Sequence, residues 1–268
     1  MLRPANDNKL FHPVSTHDLY RSAPITVMSD SFSIRPPIVG VLALQGDYES
    51  HARALEQMNA QPKMVRTAAE LEQVDGLIIP GGESTTFLKL LRREGLLAPL
   101  EKFVRTRPTF GTCAGCILLA KRVTHPQQES LGVLDATVER NAYGRQIDSQ
   151  IVTEETSLPG GPLEMVFIRA PRLTQLGSGV EVLASRDGFP VLVRQNNILA
   201  ATFHPELSHA SAPTENLDGL SSDGDAHPDR RVHRYFTQMV RDALPESGEG
   251  TSSVQRDPIQ MTAPGREG

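Results

Sequence analysis

The sequence predicts an α/β fold, a doubly wound, mostly parallel sheet flanked by helices, with an antiparallel extension. Three observations carry this reading. From Ile38 to Lys121, buried-strand runs alternate with helical patterns, as parallel crossover units require. After Leu131 the pattern changes to short β-rich runs broken by Gly, Pro and Asn, the signature of antiparallel strands. The 268 residues, 38% of them hydrophobic, suffice for one full core with sequence to spare.

The elements follow in order. Residues 1–36 mix Asn, Asp, Ser and Pro with scattered apolar positions and are expected to form a mobile arm, closed by Pro36-Pro37. Met28 is a candidate start, since a compact domain needs nothing before Ile38. Residues 38–44 read as a buried strand, followed by Gln45-Gly46-Asp47 and a helical pattern through Ala54, Leu55 and Met58. Residues 63–66 are a short strand candidate and 76–79 a buried one. Residues 84–93 and 99–107 read as helices, and Thr109-Phe110-Gly111 as a short strand entering a helix over 114–121. The runs 136–140, 165–168, 180–184, 191–194 and 198–203 are expected as antiparallel strands extending the same domain. Residues 207–229, rich in Ser, Asp, Gly and Pro, read as a mobile loop. Over 231–244, Val232, Tyr235, Phe236, Met239 and Val240 recur at helical spacing, a final helix against the sheet. Residues 245–268 read as a disordered tail, which leaves a domain over 37–244 with an insertion at about 207–229.

Composition excludes several function classes. With 27 Lys and Arg against 32 Asp and Glu, the net charge is -5, so there is no basic footprint for nucleic acid. No apolar run approaches the roughly 20 residues that cross a bilayer, and residues 1–36 lack the continuous apolar stretch of a signal peptide. The chain therefore reads as soluble and cytoplasmic, with no membrane partner. Its two cysteines, Cys113 and Cys116, form no disulfide framework and leave reactive or redox chemistry open.

Three segments carry chemistry. Thr109-Phe-Gly-Thr-Cys-Ala-Gly115 sets a cysteine between strand and helix, with small residues on either side. A sharp turn there exposes the sulfur, the helix N-terminus favours the thiolate, and the Ala114 amide can face a developing oxyanion. A buried cysteine acting as a small hydrophobe is the plain alternative, but it needs neither Gly111 nor Gly115, whereas a crowded nucleophile needs both. In Phe203-His-Pro-Glu206, extended backbone puts His204 and Glu206 on one face, an oriented base, and Pro205 favours that conformation. Alone, the tripeptide is equally a solvated strand end. In Ile79-Pro-Gly-Gly-Glu-Ser-Thr-Thr86 a Gly-Gly turn leads from strand to helix, and its amides suit an anion or an oxyanion hole. A well-capped helix start explains the same residues, and the lysine of a phosphate-binding P-loop is missing.

Taken together, Leu42-Ala-Leu-Gln-Gly-Asp47, Pro80-Gly-Gly-Glu-Ser-Thr-Thr86, Gly111-Thr-Cys-Ala-Gly115, Glu139-Arg-Asn-Ala-Tyr-Gly-Arg-Gln146, Phe167-Ile-Arg-Ala-Pro171 and Phe203-His-Pro-Glu-Leu207 resemble the glutaminase subunits of pyridoxal 5'-phosphate synthase, a branch of the triad-type (class I) glutamine amidotransferases. The resemblance spans about residues 38–243. It implies a class I amidotransferase-like, flavodoxin-like fold, with Cys113 as nucleophile, His204 as base and Glu206 as the carboxylate that orients it. Gly82, Glu83 and Ser84 would line the glutamine site, and an amide near Gly82 would join that of Ala114 in the oxyanion hole. Arg140, Ile168 and Arg169 would hold the amino-acid end of the substrate; for the arginines a surface ion pair is the alternative. L-glutamine would be hydrolysed through a glutamyl thioester, and the ammonia would pass to a synthase subunit in a large hetero-oligomer. No cofactor and no metal are implied. Members of this family are generally poor glutaminases until docked on the synthase.

Three features depart from the family pattern: Cys116 where an aliphatic residue is usual, the long 207–229 segment, and extensions at both ends. Cys113-Ala-Gly-Cys116 also has the Cys-x-x-Cys form of a disulfide oxidoreductase, which leaves the His-Pro-Glu pair unexplained. A zinc site lacks a second cysteine pair. A catalytically silent docking subunit has no reason to keep Cys, His and Glu together.

Overall fold

The computed structural model describes residues 35–140, 142, 150–208 and 229–245. Residues 1–34 of the expected arm with Met28, residues 209–228 of the expected loop, the tail beyond 245, and Asn141 with residues 143–146 of the Glu139-to-Gln146 motif lie outside the described residues.

The first half builds crossover units. Its order is β1 (Ile38–Leu42), α1 (Tyr48–Glu56), β2 (Gln61–Val65), α2 (Ala68–Glu72), β3 (Gly76–Ile79), α3 (Ser84–Arg93), α4 (Leu97–Val104), β4 (Thr109–Thr112) and α5 (Ala114–Leu119). All four strands pair in parallel, in the order β2-β1-β3-β4. The short helix α2 was not anticipated. It spans too few residues for a periodic signal, and its local mark is the reciprocal capping box between Thr67 and Glu70.

The second half contributes β5 (Ala120–Thr124), β6 (Leu134–Glu139), β7 (Gln150–Glu154), β8 (Leu163–Phe167), β9 (Arg172–Thr174), β10 (Glu181–Arg186), β11 (Phe189–Gln195), β12 (Ile198–Ala201), a 3₁₀ turn at Pro205–Leu207 and α6 (Arg231–Asp242). Among the described residues the main sheet is seven-stranded, in the order β10-β11-β12-β4-β3-β1-β2. Two expectations are corrected here. β12 is not antiparallel to its inner neighbour: Ile198 pairs with Thr109 and Ala201 with Thr112 in parallel. The tight β11–β12 hairpin, with Asn196 at φ 52, reverses the chain, so an antiparallel β11 delivers a parallel β12. Its four residues are all buried, as befits a central strand. The runs around Ala136 and Met165 form the separate sheets β5-β6-β9 and β7-β8, in which β6 is antiparallel to β9 but parallel to β5. The helix expected to reach Lys121 stops at Leu119, because Ala120 turns extended at ψ 149 and starts β5.

Helices cover both faces of the main sheet. Val39 and Val41 of β1 pack with Leu55 of α1 and with Val232, Phe236 and Val240 of α6. On the opposite face Leu42, Leu77 and Ile79 pack with Phe87 and Leu91 of α3 and Leu100 of α4. The fold is therefore doubly wound, and the carboxyl ends of β1, β3, β4 and β12 open onto one edge, where α/β proteins place their ligands.

Candidate active site

Cys113 ends β4 and begins α5 at φ 47, ψ -102. A side chain occupies that region only where the surroundings impose it. They do so through the backbone: the Cys113 amide donates to Ala201 O at 2.9 Å, and the Ile117 amide donates to Cys113 O at 3.2 Å. The glycines on either side let the turn close. A Cβ on Gly115 would stand 2.1 Å from the Ile79 carbonyl, and one on Gly111 would stand 2.6 Å from the Gly115 carbonyl carbon. Cys113 is 6% exposed, and its thiol lies 3.9 Å from the Ile168 carbonyl oxygen. Ala114 supplies one of the first-turn amides that a helix leaves without an internal acceptor.

His204 follows β12 and heads the 3₁₀ turn, with its amide donating to Val166 O at 2.8 Å. Its ring lies over Gly81, where a Cβ would come within 2.3 Å of Cε1. Its Nδ1 is 2.8 Å from Glu206 Oε1, and the ring also interacts with the Cys113 side chain. Burial disfavours a charged ring, yet the contacts with Cys113 and Glu206 outweigh it and push the His204 pKa up to about 10. Glu206 is 4% exposed. Burial alone would protonate it, but His51 and the hydrogen bond from His204 outweigh burial and keep it ionised, well below its ordinary 4.5. Its Oε2 faces His51 Nε2 of α1 at 3.3 Å, within ion-pair range, but accepts no hydrogen bond among the described residues.

The Gly-Gly turn closes the third side. Gly82 has φ 142, a region suited to glycine, and the Gln45 side chain lies against it, donating to Glu83 O at 2.7 Å. Glu83 caps α3 by accepting from the Thr86 amide at 3.0 Å, and Arg140 Nη2 donates to its Oε1 at 3.2 Å and to Thr85 Oγ1 at 3.0 Å. Burial disfavours the Glu83 charge, but Thr86 and Arg140 hold its pKa below the ordinary value. Ser84, 2% exposed, turns its hydroxyl to Gln128 Oε1 at 2.9 Å. Its side chain therefore faces structure rather than the open edge. Ile168 borders the thiol through its carbonyl, and the next residue, Arg169, is exposed at φ 45.

The structure thus brings Cys113, His204 and Glu206 together, places Gly82 and Glu83 beside them, and links Arg140 to Glu83. Cys116 stands apart in character. It is fully buried, and burial followed by the proximity of Cys113 pushes its thiol pKa far up, so it lacks the accessible thiolate a redox partner needs. The sequence reading missed Gln45, Thr85, Gln128, His51, Thr112 and His233. For the two histidines a signal existed. His51 shares a face with Ala54 and Leu55, and His233 with Phe236, Thr237 and Val240, at helical spacings.

Residues 41–216 match the model of the SNO glutamine amidotransferase family. The pyridoxal 5'-phosphate synthase subunit PdxT of Koribacter versatilis is 54% identical over 211 residues, covering 79% of this chain and 98% of its own. The PdxT of Thermotoga maritima is 45% identical over 205 residues, covering 76% and 99%. A crystal structure of a glutamine amidotransferase, 45% identical, superposes with a TM-score of 0.64 over 75% of this chain and 98% of that one. The PurLQS structure from Thermotoga maritima, at 16% identity and TM-score 0.51 over 79% of this chain and all 100% of that one, shares the fold alone.

Proposed function

Because this chain belongs to the SNO glutamine amidotransferase family, we propose that it hydrolyses L-glutamine with Cys113 as nucleophile, His204 as base and Glu206 as the carboxylate orienting that base, releasing ammonia to a pyridoxal 5'-phosphate synthase subunit. The observation that carries this is the 2.8 Å contact between His204 Nδ1 and Glu206 Oε1, with the Cys113 side chain, on a strained strand-to-helix turn, as the ring's other interaction partner.

Each step follows from the groups present. His204 takes the thiol proton, and the Cys113 thiolate attacks the side-chain amide carbon of glutamine. The amide of Ala114 and one near Gly82 donate to the oxygen that gains charge. The imidazolium, supported by Glu206, returns its proton to the departing nitrogen, which leaves as ammonia. Water, activated by the neutral ring, then hydrolyses the glutamyl thioester to glutamate. Gly82, Glu83 and Ser84 line the substrate, the last through its backbone, while Arg140, Ile168 and Arg169 hold its amino-acid end. The amidotransferase unit is assigned to residues 37–244, with an insertion at about 207–229.

Hydroxylamine tests the intermediate. In the complex with a synthase subunit, it should divert product from glutamate to γ-glutamyl hydroxamate, as interception of a thioester requires; glutamate alone at every hydroxylamine concentration would contradict covalent catalysis by Cys113.

A further inference from the structure

Behind Glu206 lies a buried polar chain that the proposed reaction does not use. His51 and His233 are both 0% exposed, one on α1 and the other on α6, 182 residues apart in sequence. His51 Nδ1 is 3.0 Å from His233 Nε2. His51 Nε2 is 3.3 Å from Glu206 Oε2 and 3.3 Å from Thr112 Oγ1. Among the described residues His233 Nδ1 is buried with no hydrogen-bond partner. The Phe110 ring packs edge-on against both imidazoles.

These contacts decide where the hydrogens sit. Burial lowers the pKa of both rings, so each carries one N–H. The N–H of His51 belongs on Nε2, because a lone pair there would face the lone pairs of an ionised carboxylate. With Nε2 protonated, His51 Nδ1 is an acceptor, so His233 must donate from Nε2. That leaves His233 Nδ1 as the unpartnered atom in its acceptor form, cheaper to bury than an orphaned N–H donor. The opposite arrangement fails at both ends at once. The donor order therefore runs from His233 to His51, whose Nε2 N–H faces Glu206 Oε2 at 3.3 Å, within ion-pair range but without hydrogen-bond alignment, while His204 donates to the other carboxylate oxygen.

We propose that His51 is a positioning residue of this site: oriented by His233, it holds the second oxygen of Glu206 so that the first stays aligned on His204. The inference rests on the triad reading above. Oε2 is buried and accepts no hydrogen bond among the described residues; without His51 it would also lose the N–H that faces it at 3.3 Å, and the carboxylate would rotate to share its charge elsewhere. The His204 imidazolium would lose support, so the proton it must return to the departing nitrogen would leave at lower pH. The other charged or titratable groups around His51 are His204, Asp47 and Arg230; Arg230 donates to the Glu206 backbone carbonyl at 3.2 Å.

The test measures steady-state glutaminase kinetics in the complex with the synthase subunit. His51→Leu should lower kcat about tenfold or more, leave KM for glutamine within about twofold, and move the alkaline limb of the kcat/KM profile to lower pH. His51→Gln, which returns an N–H near the position of Nε2, should recover most of the rate. A folded His51→Leu protein with wild-type kcat and an unmoved alkaline limb overturns the proposal. Should His51→Leu not fold, His51→Asn replaces it: Asn offers its donor at the Nδ1 position, so it must be slower than His51→Gln, and equal rates overturn the proposal. Glu206→Gln measured alongside separates the two readings. If it retains full activity the triad reading itself has failed; if it is inactive while His51→Leu is normal, only the role of His51 has failed.

Discussion

Cys113 is held at φ 47 by a hydrogen bond to β12 and by α5 behind it, a strained backbone position that the surroundings impose. Cys116 lies one helical turn away, fully buried. The two thiols should therefore differ sharply. In the native protein iodoacetamide should modify Cys113 and spare Cys116, as peptide mapping would show, and Cys116→Ser should keep glutaminase activity within about threefold, whereas a dithiol redox site would lose its function. Glu206→Gln should keep the fold and lower kcat by about 10²-fold or more, since the amide supports the wrong tautomer of His204. A loss confined to KM would contradict the orienting role. These three residues were legible because each stands in a short local pattern: a cysteine between glycines at a strand-to-helix junction, and a histidine two residues from a carboxylate. His51 and His233 were not. Each looks like one more member of a helix's buried face, and only the packing of α1 against α6 makes them a pair.

At the scale of elements, the site depends on how closely α5 approaches β3. Gly115 has no room for a methyl group, with Ile79 O at 2.1 Å from its Cβ position. The obstacle is backbone and cannot swing aside. Gly115→Ala should destabilise the fold by about 1–3 kcal/mol or more, an overpacking cost, and by displacing the elbow should also lower kcat; chemical denaturation together with kinetics checks both, and a variant as stable and active as the parent would contradict this geometry. The alternation of strands and helices up to β4 was legible because each strand is a short apolar run and each helix has a face. The direction of β12 was not, because four consecutive buried residues carry no mark of the neighbour they pair with. Likewise, Ala120 joins an apolar run after Cys116, so period alone did not separate the end of α5 from the start of β5.

For the whole molecule, the buried histidines link stability to pH. His51 and His233 have pKa values lowered by burial, so below the ordinary 6.5 the unfolded chain binds protons that the folded chain refuses, and stability falls as pH drops. His204, pushed up to about 10, acts in the opposite sense: its contribution is complete below 6.5 and is lost as pH rises toward 10. For these groups together, the unfolding free energy should peak near pH 6.5, as urea denaturation across the range would show, and Cys113→Ala should flatten the alkaline slope by removing one of the contacts that hold the His204 proton. Stability that climbs steadily from pH 6.5 to 10 would contradict the charge state assigned to the site. No helix among the described residues is long and apolar enough to cross a membrane.

The most direct test of the central claim is glutamate formation from L-glutamine by the purified chain mixed with a pyridoxal 5'-phosphate synthase subunit, run beside the chain alone and beside Cys113→Ala and Cys116→Ser. The predicted result is a rate that rises on mixing, vanishes in Cys113→Ala and persists in Cys116→Ser. An undiminished rate in Cys113→Ala, or no glutamate in any mixture, would contradict it.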